Sequence, residues 1–130
     1  MMQKISILFY IILSFTIISC SDGSSNHTSI SGSWRCEEYT GSGTSTYLLD
    51  IDRLRSDTSQ YMISNFYNMG DNEFIVVKLK NGKLSLTQQP TSSYTVKSFS
   101  GTVKDLENIA LTYTIYDGQS DVLVNANYSR

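Results

Sequence analysis

Beyond residue 32, apolar side chains fall at every second position in short runs broken by turn residues, and a period of two belongs to a strand with one buried face. Ile75, Val77 and Leu79 lead into Leu84 and Leu86, and Ile109, Leu111, Tyr113 and Ile115 lead into Val122, Val124, Ala126 and Tyr128. No 3.6-residue apolar period competes with them, and the spacing predicts eight strands at residues 33–39, 46–52, 60–66, 73–79, 83–87, 93–103, 108–116 and 121–129. Between the first two sets stands Lys80-Asn81-Gly82-Lys83, and Asn-Gly supplies the two positive-φ positions of a type I′ hairpin. Tyr116-Asp117-Gly118-Gln119 marks a second hairpin. A one-sided antiparallel meander must pack on a second layer or close on itself, and closure also removes its exposed edges. The expected fold is therefore all-β, an eight-stranded up-and-down meander closing into a small barrel; a two-sheet sandwich satisfies the same pattern.

The amino-terminal part obeys different rules. A short basic start, residues 1–4, precedes a run of about 14 residues, 5–18, interrupted only by Ser6, Ser14 and Thr16. A helix needs about 20 apolar residues to cross a bilayer, so this run has the length of a signal peptide instead. It ends Ile17-Ile18-Ser19-Cys20, which resembles the lipobox of bacterial lipoproteins: an aliphatic residue at −3, a small one at −1 and Cys at +1. The resemblance implies cleavage before Cys20, diacylglycerol on its sulfur and acylation of the new amino group. An ordinary secretory signal with a chance Cys is the alternative. Buried acyl CH₂ groups contribute about 0.8 kcal/mol each, so such chains hold a protein at a membrane surface without a spanning helix. Ser21 at +2, in place of Asp, points by analogy to the outer membrane, on its periplasmic or surface face. The expected organisation is signal peptide 1–19, lipidated Cys20 with a Ser/Gly/Asn-rich tether to residue 31, and a barrel over 32–130. With Cys20 consumed by lipid, Cys36 has no partner in the chain and is expected as a small buried hydrophobe.

The first predicted strand opens Ile30-Ser31-Gly32-Ser33-Trp34-Arg35, and this Gly-x-Trp resembles the calycin superfamily of lipocalins, fatty-acid-binding proteins and avidins. The resemblance implies that Trp34 closes one barrel end beneath a basic residue from the last strand. Strand arithmetic points the same way. In an eight-stranded barrel the last strand runs antiparallel beside the first, and Arg130 shares the parity of Val122, Val124, Ala126 and Tyr128. A guanidinium over an indole contributes about 0.5–2 kcal/mol. An ordinary core role for Trp34 fits equally. Residues 61–68, the Asn81-Gly82 turn and the stretch 111–128 are also similar to small lipocalin-like lipoproteins of Bacteroides-type bacteria.

Several chemistries are disfavoured by what the chain contains. Loss of residues 1–19 removes Lys4 and no acid, leaving nine basic against twelve acidic side chains, so nucleic acid is not an expected partner. The one histidine, His27, falls in the tether, away from any packed site for acid–base or zinc chemistry. Glu37 and Glu38 are adjacent on a strand and face opposite ways, so they cannot act as a pair. Asp50 and Asp52 alternate with Leu49 and Ile51 and read as solvated. Asp117 and Asp121 have a calcium-like spacing without the remaining oxygen ligands, and read as a turn. No catalytic residues, metal or cofactor are expected, and no enzyme.

Two functions remain. One is binding of a small ligand or glycan, with Tyr47, Tyr61 and Tyr113 on inner faces offering flat rings with polar tips. Filling a lumen only just wide enough for side chains is their plainer role. The other is a protein-interaction module, an accessory subunit or inhibitor of the envelope, working through loops 41–45 or 65–72; Phe66, Tyr67 and Met69 are apolar for a turn and motivate it. A hollow lumen favours the first, a filled lumen with residues 66–69 exposed the second.

Overall fold

The computed structural model describes residues 28–90 and 94–130. Among them, eight antiparallel strands run β1 (Gly32–Thr40), β2 (Gly43–Arg53), β3 (Gln60–Ser64), β4 (Phe74–Lys80), β5 (Lys83–Gln88), β6 (Thr95–Asp105), β7 (Asn108–Tyr116) and β8 (Asp121–Ser129). Each pairs with the next, and β8 returns to β1 through pairs from Arg35↔Ser129 to Tyr39↔Asn125, so the sheet is a closed barrel. The sandwich alternative is excluded: closure leaves one continuous sheet wrapped around a single core.

Alternation built that core. Along β2 and β7, Tyr47, Leu49 and Ile51 and then Ile109, Leu111, Tyr113 and Ile115 are buried, while Leu48 and Asp50 and then Ala110, Thr112 and Thr114 alternate with them on the outer face. Asn81 and Gly82 adopt φ of 52° and 73°, the positive pair that the β4–β5 hairpin requires. Asp117 shapes the β7–β8 turn by accepting the Gln119 and Ser120 amides at 2.8 and 2.9 Å.

The seam between β5 and β6 is the thinnest, with pairs at Lys83↔Thr102 and Leu84↔Gly101. A Cβ on Gly101 would sit 2.6 Å from Leu111 Cδ2 and 2.8 Å from Leu84 Cβ, so only glycine lets the strands approach there. Farther along, the Gln89 side-chain amide stands in for a strand, donating to the Val96 carbonyl at 2.8 Å and accepting the Val96 N–H at 2.9 Å.

Two expectations need correction. The third strand stops at Ser64 and does not reach Phe66, because Asn65 turns to φ 53° and opens a 3-10 turn over Phe66–Asn68. The segment assigned to the tether is partly built into the domain: Ile30 is buried, and the carbonyls of Ser29, Ile30 and Ser31 all receive hydrogen bonds from barrel side chains. Cys20 lies outside the described residues.

Candidate functional site

The barrel has two chemically distinct ends. At the lower end, where β1 begins and β8 finishes, the Arg130 guanidinium carbon lies 4.2 Å from the centre of the Trp34 ring. Its Nε, Nη1 and Nη2 each donate at 2.7 Å, to the carbonyls of Leu106, Ser31 and Ser29, and the Trp34 indole donates to Ile30 O at 2.8 Å. Gly32 takes φ of 129°, and a Cβ there would stand 3.1 Å from Arg130 Nη1. Both the backbone shape and the room for the guanidinium thus account for glycine two residues before the tryptophan.

The upper interior holds an acid. Glu38 lies on β1 in phase with Trp34 and Cys36, so its carboxyl enters the barrel, where the residue is only 4% exposed. The Tyr113 hydroxyl donates to Glu38 Oε1 at 2.6 Å, and the Tyr47 hydroxyl donates to the same oxygen. Burial pushes the Glu38 pKa up from its ordinary 4.5, with the two tyrosine hydrogen bonds pulling the other way. Burial also pushes the hydroxyls of Tyr47, Tyr113 and Tyr128 up, and the Cys36 thiol up to about 12. All four therefore stay protonated at neutral pH, and Cys36 is no thiolate nucleophile. The Tyr128 hydroxyl, fully buried in the same cluster, has no hydrogen-bond partner among the described residues.

A roof of aromatic rings covers this cluster. Phe66, from the 3-10 turn, packs at 4.8 Å from Tyr113, with Tyr67 and Phe99 at 6.4 and 6.2 Å around it. Phe66 is buried and Tyr67 and Met69 are partly so; the apolar patch expected on the loop surface is turned inward and plugs the barrel. Asn65, Tyr67 and Asn68 all have φ between 53° and 56°, a conformation that costs non-glycine side chains energy and that the surrounding packing must impose. Asn65 pins the loop, donating to Leu48 O at 2.7 Å and accepting the Gly70 amide at 2.8 Å.

Of the three tyrosines singled out from sequence, Tyr47 and Tyr113 meet on Glu38, whereas Tyr61 sits apart, its hydroxyl accepting from Arg53 Nη2 at 2.8 Å. All three rings are buried and fill the barrel. Among the described residues, no group of His, Cys, Asp and Glu is placed to hold a metal ion.

A concave surface lies on the outer wall. β1 pairs with β8 only up to Tyr39↔Asn125, while β8 continues to Asp121 paired with β7 alone. Beside this free stretch lies a groove of about 550 Å³, lined by Tyr39, Thr40, Ser42, Asp121, Leu123 and Asn125 among others. Tyr39 and Leu123 are 41% and 58% exposed there. Compared by sequence, the chain matches no protein-family model and no curated protein.

Proposed function

We propose that this chain is a lipid-anchored protein of the bacterial cell envelope, held by acyl chains on Cys20 at the outer membrane, whose small calycin-like barrel binds a small ligand on its outer wall. The lipobox residues 17–20 support the anchor. The observation that supports a ligand outside the lumen is the contrast between a barrel packed with its own side chains and a groove whose volume falls in the roughly 300–1,000 Å³ span of small-molecule sites.

A protein-interaction role has its own support. Tyr39 and Leu123, 41% and 58% exposed, line the same groove and together give the outer wall an apolar patch that suits a partner surface.

Mass spectrometry of the chain from the membrane fraction tests both parts. The expected mature species begins at Cys20 with a diacylglyceryl thioether, and in native conditions carries a bound small mass. A soluble chain with an unmodified Cys20 would overturn the anchor, and a bound protein in place of a small mass would favour the second role.

A further inference from the structure

From the chemistry of the groove between the β1–β2 hairpin and the start of β8, we propose that it takes a neutral saccharide. This deepens the ligand-binding role above and rests on it.

Two large apolar side chains line the groove on neighbouring strands. Tyr39 offers a flat, 41% exposed ring on β1, and Leu123 an aliphatic side chain on β8, both outside the core because they are out of phase with Glu38 and Val124. A flat apolar ring suits the C–H face of a pyranose. Polar side chains line the groove beside Tyr39 and Leu123: Thr40 and Ser42, whose hydroxyls are hydrogen-bonded to each other at 3.0 Å, and Asn125. Thr112 donates to Asn125 Oδ1 at 3.0 Å, which leaves the amide nitrogen as a donor.

Charge decides between neutral and ionic ligands. Asp121 is paired with Lys97 at 3.0 Å, and Lys97 also lies 4.5 Å over the Tyr116 ring. Glu37, which accepts the Tyr39 hydroxyl at 2.9 Å, is paired with Arg35 at 3.4 Å. Each carboxylate at the groove thus has its own cation, and neither an acidic nor a basic ligand finds an uncompensated partner. Hydroxyl groups, which both donate and accept, match this mixture of hydroxyl, amide and paired carboxylate.

An extended peptide is the competing occupant, since residues 121–124 of β8 pair on one side only. Four residues of edge are shorter than the usual strand of five or six, so a peptide would gain few backbone hydrogen bonds there. The saccharide uses the side chains as well.

The test is isothermal titration of the full chain in detergent micelles with hexasaccharides of glucose, mannose and N-acetylglucosamine. A sulfated oligosaccharide, palmitate and an alternating Val-Thr octapeptide serve as competitors of other classes. The expected result is binding of at least one neutral hexasaccharide, weakened about tenfold or more by Tyr39→Ala and by Leu123→Ser. Leu48→Ser, an exposed change outside the groove, should leave it unaltered, and Trp34 fluorescence reports that each variant keeps its barrel. Binding unmoved by Tyr39→Ala and Leu123→Ser would overturn the saccharide groove and leave the ligand-binding role standing. Binding of only the sulfated sugar, palmitate or peptide would overturn the proposed ligand class. Binding of none of the probes would overturn the saccharide, while a small mass retained by the native chain would still uphold the broader role.

Discussion

At the Trp34 end of the barrel, the indole nitrogen and all three guanidinium nitrogens of Arg130 meet backbone carbonyls at 2.7–2.8 Å. At the Glu38 end, one ionisable carboxyl and three tyrosine hydroxyls share the interior, and one of those hydroxyls has no partner among the described residues. The lower end is closed by a positive charge left at the rim, where the ring face and carbonyl oxygens hold it. The upper end instead buries its polar groups and covers them with a loop whose backbone is strained at Asn65, Tyr67 and Asn68. One sheet therefore carries a satisfied seal and an unsatisfied interior a few residues apart on the same strand. Strand continuity does not oblige both ends of a barrel to be equally stable, since local stability follows burial and polar satisfaction.

The sharpest way to break this contrast is to remove the seal. Trp34→Ala should cost about 3–5 kcal/mol in chemical denaturation, the range for losing a large buried aromatic side chain. A smaller loss would mean that the lower end collapses around the gap. Next come two hydroxyl deletions of identical chemistry and opposite sign. Tyr113→Phe removes a hydrogen bond to a buried carboxyl and should cost about 1.5–3 kcal/mol at neutral pH. Tyr128→Phe removes a buried hydroxyl without a partner and should stabilise the barrel by about 1 kcal/mol. Equal effects from the two would erase the asymmetry within the cluster. The Trp34–Arg130 coupling, read from a double-mutant cycle with Arg130→Met, should be about 0.5–2 kcal/mol.

The smallest effect is the pH slope. Because the folded pKa of Glu38 is raised, the unfolded chain loses this proton first as pH climbs past 4.5. The stability Glu38 contributes in its protonated form is then lost as pH rises through the folded value. Wild-type protein should lose stability relative to Glu38→Gln over that interval, then run parallel to it. Asp57, held down to about 2 by hydrogen bonds from Ser59 and Gln60, has the opposite sign, its contribution fading only as pH falls below 3.8. The barrel should therefore be most stable in mildly acidic solution.

Strand positions were legible because alternation and turn chemistry agree: Asn81-Gly82 demands a hairpin at the place where the apolar phase ends. The juxtaposition of Arg130 and Trp34 was legible through parity, once a closed meander was assumed. Glu38 was missed for an instructive reason. Considered with Glu37 as a carboxylate pair, it could be dismissed; considered in phase with Trp34 and Cys36, it had to point inward. The plug was less accessible, since nothing in Ser64-Asn65-Phe66-Tyr67-Asn68 announces three non-glycine residues at positive φ. The pull that inverts this loop is tertiary, from the Tyr113 ring against which Phe66 packs. The outer groove depends on where the β1–β8 pairing ends, a register fact that no local pattern encodes.

Carbon-13 NMR of the Glu38 side-chain carboxyl, followed from acid to neutral pH in the intact barrel, tests the contrast most directly. A midpoint above 4.5, moving higher still in Tyr113→Phe, is the predicted result. A midpoint at or below 4.5 would contradict it, because the upper interior would then solvate an anion as well as water does.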